Sequence, residues 1–232
     1  MTGTVPPSSY EMTPRRQALP RGTRLWRTHK AKRRPGQFNP VSVDPHFGGN
    51  RFDGTSYDPY PYLYVADDAA TALAETLLRS LEFDVGTGMR LIPYAAVKDK
   101  SLSLLRTRCE LTLVSLTTEA DLAAVCQDSW LLEAEGERYA KTRRWASEIR
   151  VQAPDTAGLI WQSRRNRPRL ALVLFGDRCA EDALAEERGG GIPDLGSPAG
   201  VTEANRLLAP LRAAIVPPWP GENPLGGGGG HC

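Results

Sequence analysis

An arginine in a glycine-rich turn, a glutamate on the polar side of a helical stretch and a serine at a strand end are the groups in this sequence best suited to chemistry. Arg51 lies in Phe47-Gly-Gly-Asn-Arg-Phe-Asp-Gly54, where it can offer its planar fork to a phosphate or carboxylate. A solvated surface arginine is the plainer alternative. The stretch fits neither G-x-x-x-x-G-K-[ST] nor G-x-G-x-x-G, so it is neither a P-loop nor a Rossmann fingerprint. Glu75 shares a helical stretch with the apolar stripe Ala70, Leu73, Leu77 and Leu81. At about 100° per residue it falls on the polar face beside Thr71, Arg79 and Glu82. An exposed i,i+4 pair with Arg79, worth roughly 0.2–0.5 kcal/mol, would equally explain it. Ser163 follows the apolar run Gly158-Leu-Ile-Trp-Gln162 and can hydrogen-bond a ligand or merely cap the chain. No G-x-S-x-G elbow surrounds it, which argues against a hydrolase triad. Tyr64, within Tyr62-Leu-Tyr-Val-Ala66, has the pattern of an ordinary strand aromatic.

The elements that must position these groups mix without the regular alternation of a doubly wound fold. The patterning predicts strands over Arg24–His29, Tyr62–Ala66, Met89–Tyr94, Ser101–Arg106, Glu110–Ser115, Gly158–Gln162 and Leu170–Phe175, and helices over Asp67–Leu81, Thr118–Cys126 and Glu137–Arg150. The first helix opens on an aspartate pair suited to capping. This is an α+β pattern. Gly189–Pro198 reads as a linker, which ends the core near Arg178. An amphipathic helix is expected over Glu203–Val216, with Leu207, Leu208, Leu211 and Ile215 at helical spacing. The tail from Pro217, with its Gly226–Gly230 run, reads as flexible and without function. The expected organisation is therefore a flexible segment 1–19, a catalytic domain 20–178 and an extension 179–232.

The 232 residues, 41% hydrophobic and 24% charged, are those of an ordinary folded domain. No run approaches the roughly 18 apolar residues of a bilayer span. Met1–Pro20 has no apolar core of the signal-peptide kind, so a cytoplasmic location is expected and no membrane partner. The cysteines Cys109, Cys126, Cys179 and Cys232 are far apart and read as reduced thiols. The histidines His29, His46 and His231 form no ligand pattern, so no metal is expected. The net charge of +2 conceals an asymmetry. Arg15, Arg16, Arg21, Arg24, Arg27, Lys30, Lys32, Arg33 and Arg34 give nine basic residues without an acid, while the remainder carries 20 basic against 27 acidic residues. Such a segment can meet a nucleic acid, an acidic partner or a polyphosphate, or simply be a solvated face. With only Trp26 interleaved and no helix-turn-helix pattern, direct nucleic-acid binding is not the favoured reading.

Taken in order, Trp26-Arg27-Thr28, Arg51-Phe52-Asp53, Tyr62-Leu-Tyr-Val-Ala66 with Ala72-Leu-Ala-Glu75, and Gly158-Leu-Ile-Trp-Gln-Ser163-Arg164 resemble the RES-domain family over about residues 20–178. The arginine, glutamate and serine of that family's name map onto Arg51, Glu75 and Ser163. The common form has glycine before the arginine and often tryptophan and asparagine after it, where this chain has Asn50, Phe52 and Asp53. The resemblance implies a compact α+β fold related to ADP-ribosyltransferase toxins. It also implies a toxin that degrades NAD by hydrolysis or phosphorolysis, paired with an Xre-type antitoxin. NAD would be substrate rather than a resident cofactor, with inorganic phosphate as a candidate co-substrate.

In that chemistry nicotinamide leaves neutral from a cationic pyridinium, and positive charge develops on the ribose. One carboxylate, Glu75, can stabilise that charge. The resemblance further implies Arg51 and Arg27 on the pyrophosphate, Tyr64 stacked on the nicotinamide and Ser163 hydrogen-bonded to the ligand. Whether water, phosphate or a protein side chain attacks the ribose is open at this level, as is homo-oligomerisation. ADP-ribosyl transfer to a protein and a non-enzymatic basic binding module are the alternatives.

Overall fold

The computed structural model describes residues 6–217. In chain order it has β1 Arg16–Leu19, β2 Arg24–Lys30, β3 Tyr62–Ala66, α1 Ala69–Leu77, β4 Arg90–Pro93, β5 Lys100–Thr107, β6 Leu111–Leu116, α2 Glu119–Ala124, α3 Trp130–Glu133, α4 Tyr139–Gln152, β7 Gly158–Gln162, β8 Leu170–Phe175, β9 Leu184–Glu186, α5 Pro198–Leu208 and β10 Ala213–Val216. Eight strands form one sheet in the order β1-β6-β7-β8-β3-β2-β5-β9, antiparallel except between β6 and β7. β4 and β10 make a separate parallel pair. The fold is α+β, as the patterning predicts.

Alternation along the strands sorts their side chains to two faces. On one face the sheet curls over itself. Leu25, Leu63, Leu105, Leu113 and Leu174 form a core to which strands and loops alone contribute among the described residues. On the other face there are two separate cores. Leu122, Leu131, Trp145 and Ile149 from α2, α3 and α4 cover Trp161, Val173 and Phe175. Leu73, Leu77, Ala204 and Leu208 from α1 and α5 pack with Leu102 and with Ile92 and Ile215 of the small sheet. α1 starts where Asp68 accepts the Thr71 N–H, the capping that the aspartate pair implies.

The sheet is incomplete at one place. β2 pairs with β5 at seven successive positions from Arg24 to Lys30, but with β3 only at Trp26 and Ala66. Beyond that point β2 and β3 part, and Asn39 pairs with Tyr62 in place of β2 through two backbone hydrogen bonds of 2.8 and 3.0 Å. Arg27 holds the connecting turn by donating to the Pro35 and Gln37 carbonyls.

Several expectations are corrected. The segment before residue 20 is built into the fold: β1 pairs with β6, and Met12 is buried against the α4 core. The core does not end near Arg178, nor is 189–198 a linker. Backbone bonds of 2.7 and 2.9 Å join Leu102 and Ile192, and Leu195 is buried. The glycines there serve close approach: a Cβ at Gly190 would strike the Leu104 side chain, and one at Gly191 the Leu102 carbonyl. The helix expected over 203–216 instead spans Pro198–Leu208. Pro210 closes it in a 3-10 turn, Arg212 turns left-handed at φ 49°, and the Ala-Ala-Ile-Val run extends as β10. The stretch over 67–81 forms nine helical residues rather than fifteen positions. Positions 218–232, including the Gly-rich tail, His231 and Cys232, lie outside the described residues. Among the described residues no helix is long and apolar enough to cross a membrane.

Candidate active site

Glu75 is on the polar stripe of α1, as the helical spacing predicts, but it does not pair with Arg79. Its Oε1 accepts a 2.6 Å hydrogen bond from Ser163 Oγ. Ser163 follows β7 and is fully buried, and its hydroxyl also accepts the backbone N–H groups of Arg165 and Asn166 at 3.2 Å. The turn 163–166 grips the same stripe at two more points. Asn166 Nδ2 donates to Thr71 Oγ1 at 2.8 Å, and Arg165 donates to the Arg79 carbonyl. Thr71 and Glu75 are one turn apart on α1 and the Arg79 carbonyl lies just past its end, so the turn docks along α1 and the chain leaving it. Ser163 is therefore placed behind Glu75, orienting one oxygen of its carboxylate, rather than facing a ligand.

Arg51 is buried, at 8% exposure, not a solvated loop side chain. Gly48 and Gly49, at φ 61° and 70°, make the turn that sends it inward. Its Nη2 donates to the Ala134 carbonyl at 3.3 Å, its guanidinium lies 5.7 Å from the Tyr139 ring, and its buried Nε has no protein acceptor. Burial pushes the guanidinium below its ordinary pKa, and Tyr139 and Glu75 offset part of that shift. The glutamate is thus within the field of the arginine although the two are not bonded.

Three residues that the sequence reading did not single out hold this turn. Asp53, buried, accepts from Asn50 N at 2.8 Å and from Tyr64 Oη at 2.9 Å. Tyr64 Oη in turn accepts the Phe52 N–H at 3.0 Å. Burial, reinforced by Asp53, holds the Tyr64 phenol well above its ordinary pKa, so it stays protonated. Arg143, buried in α4, donates to the carbonyls of Asp44, Pro45, Gly48 and Asn50. Thr142 donates to the Arg51 carbonyl at 2.7 Å. The spacing of Thr142-Arg143 within a helix otherwise rich in basic residues gave no sign of this role.

A groove opens where β2 and β3 part. Its narrow end, about 40 Å³, is lined by Trp26, Thr28, Tyr64, Ala72, Glu75 and Thr76. Thr28, Tyr64 and Thr76 continue into a wider stretch of about 290 Å³ that also carries Arg27, His29, Lys30, Arg33, Asn39 and Lys100. Glu75 is the one acid in either lining, and it stands at the narrow end, with the cations at the open end. Tyr64 lines both stretches. Arg27 lies at the basic end, 6% exposed, with burial and then Arg33 pushing its guanidinium down to about 10. The structure thus joins Ser163 to Glu75 and puts Tyr64 with Glu75 in the groove lining, while Arg27 lines only the wider stretch and Arg51 lies in neither lining.

A larger cavity, of about 700 Å³, is elsewhere. It is lined mainly by Asp128, Trp130, Glu133, Glu135 and Glu137 with Arg138 and Arg164. It contains none of the predicted site residues, and its carboxylates would repel an anionic ligand. The smaller groove has the better chemistry despite its size. Among the described residues no group of His, Cys, Asp and Glu is arranged to hold a metal ion. The nine-residue basic run is not one face: Arg15, Arg16 and Arg24 pair with Asp121, Asp155 and Glu187, while Arg27, Lys30 and Arg33 reach the groove.

Comparison with known proteins bears on this site. A family model described as RES domain matches residues 24–192, a span that holds every residue named in the groove. Among solved structures, a chain of the M. tuberculosis MbcT-MbcA toxin-antitoxin complex is similar, with 16% sequence identity, a TM-score of 0.56, and coverage of 83% of this chain and 92% of that one. At that identity the likeness is one of fold. No curated protein sequence matches the chain.

Proposed function

The chain belongs to the RES domain family, and from that premise we propose that it is the toxin of a toxin-antitoxin pair and cleaves the bond between nicotinamide and ribose in NAD. The observation that carries this reading is one carboxylate, Glu75, fixed by Ser163 at the narrow end of a groove whose other end is basic. NAD is polarised in the same sense: a cationic nicotinamide riboside at one end and a pyrophosphate behind it.

In the reaction the C1′–N bond breaks, its electron pair goes to the pyridinium nitrogen, and nicotinamide leaves neutral. The ribose becomes oxocarbenium-like. Ser163 holds Oε1 of Glu75, and the other carboxylate oxygen faces the developing charge, a stabilisation that strengthens only as the bond breaks. Water or inorganic phosphate then bonds to C1′, and its proton passes to solvent. Arg51, buried against Tyr139, acts on the ligand's anionic part, and Arg27 takes the pyrophosphate at the basic end. Tyr64, fixed by Asp53, forms the wall on which the nicotinamide ring lies. The reaction is cytoplasmic in this reading. The partner is an Xre-type antitoxin that covers the groove. That the similar fold comes from a toxin-antitoxin complex supports such a partner.

The test is incubation of the full chain with NAD, with and without phosphate, following nicotinamide and the fate of ADP-ribose by chromatography. Free ADP-ribose identifies hydrolysis and ADP-ribose 1″-phosphate identifies phosphorolysis. Label retained on a macromolecule identifies ADP-ribosyl transfer, and absence of nicotinamide release overturns the reading.

A further inference from the structure

The groove carries more positive charge than a dinucleotide pyrophosphate uses. Arg27, Lys30, Arg33 and Lys100 line its open end, and among the described residues none of the four has a carboxylate in ion-pair range. Lys30 and Lys100 are directly opposite each other in the β2–β5 ladder, a like-charge pair that weakens a sheet unless an anion comes between. Arg33 bears on Arg27 as a second like charge, after burial, in lowering its pKa. Glu186, the carboxylate that acts on nearby His29, belongs to a different cavity.

Position matters as much as number. Lys30 is four residues along β2 from Trp26, where the strands part, so about 13 Å separates the two ends of the groove. With the reacting ribose at Glu75 and the pyrophosphate at Arg27, the adenosine ribose reaches the region of Lys30, Arg33 and Lys100. Rossmann-type sites, a different fold, show the chemistry at this position: those for NAD present an acid to the adenosine 2′-hydroxyl, and those for NADP an arginine. Here that end of the groove has cations and no acid in its lining. A phosphate monoester adds about 1.5 to 2 negative charges, matching the cations left over.

We propose that this groove takes NADP at least as well as NAD, seating the adenosine 2′-phosphate among Lys30, Arg33 and Lys100. The inference rests on the NAD-cleaving reading for its catalytic half. The step is the same: the C1′–N bond breaks, water bonds to C1′, and nicotinamide, ADP-ribose 2′-phosphate and a proton are released.

Two measurements on the full chain test it. In the first, nicotinamide release is followed with NAD and NADP separately. kcat/KM for NADP is expected to equal or exceed that for NAD, about tenfold higher at low salt, with the two converging as salt is added. Lys100→Ala and Arg33→Ala should each lower kcat/KM for NADP about tenfold and that for NAD by less than about threefold. Cleavage of NAD with NADP more than tenfold slower overturns the proposal and leaves the NAD reading standing. In the second, calorimetry compares adenosine 2′,5′-bisphosphate with its 3′,5′ isomer, which has the same charge. Tighter binding of the 2′,5′ isomer, lost in Lys100→Ala, supports the site even if neither dinucleotide is cleaved. Equal affinity for the isomers, or no binding of either, overturns it.

Discussion

Ser163 Oγ donates to Glu75 Oε1 at 2.6 Å, and this bond joins the end of a central strand to the face of a helix from the other half of the chain. A carboxylate on an exposed helix face samples several rotamers. Here one oxygen is held by a hydroxyl that is itself fixed by two backbone N–H groups, so the other oxygen has a defined direction before any ligand arrives.

Glu75→Gln should lower NAD turnover by about a thousandfold or more, because the amide cannot offset the ribose charge. Folding should persist, since Leu73 and Leu77 still bury the apolar side of α1. Nicotinamide release together with the melting temperature checks both halves. An active, normally folded variant would remove Glu75 from the chemistry.

Ser163→Ala tests positioning rather than contact. It should reduce kcat by up to about a hundredfold through a freed Glu75 while leaving KM for NAD nearly as it was. It should also destabilise the chain by about 1–3 kcal/mol, since the N–H groups of Arg165 and Asn166 lose their acceptor. A large rise in KM at constant kcat would mean that the hydroxyl meets the ligand after all.

Gly54→Ala should destabilise by roughly 1–3 kcal/mol, because a Cβ there would run into the Tyr60 backbone beside the Arg51 turn. Denaturant melts would register the loss. A neutral result would show that the turn yields without strain.

Truncation after Arg178 should leave a chain that does not unfold cooperatively. It removes Ile192, Leu195, Ala204, Leu208 and Ile215 from the core that seats α1. A monomeric truncated chain with a sharp thermal transition would show that the residues up to 178 fold without the rest.

Stability should fall as pH drops from about 7 to about 5.5. His29 bonds Ser103 and the Lys30 carbonyl, and burial, with Arg27 contributing, pushes its imidazole below the ordinary 6.5. The unfolded chain therefore takes up the proton first, so this contribution is whole above about 6.5 and is lost as pH falls towards the folded value. His29→Gln should flatten the melting temperature over that range, and a slope unchanged by the substitution would count against it.

The central strands were legible because β3, β7 and β8 are short apolar runs with clear ends, and Glu75 because helical spacing alone separates it from the leucine stripe. The carboxylate's partner was not legible. Glu75 and Arg79 satisfy the i,i+4 rule, yet a turn 88 residues away in sequence outcompetes Arg79 for that face. Arg51 reads as a surface residue until Arg143 draws the backbone of 44–50 round it through four carbonyls, a tertiary act with no local signature. The same holds for Gly190 and Gly191, where flexibility and close packing demand the same residue.

The pairing of β10 with β4, Ala213 against Arg90, sets an order on synthesis. Beside Ile92, Val97 and Leu102, the apolar side of α1 is covered by residues from 192 onward, so the helix bearing Glu75 emerges from the ribosome more than a hundred residues ahead of that part of its seat. Contacts of such separation close late. Until residues 192–216 have emerged, the helix that carries Glu75 is packed on only part of its apolar side.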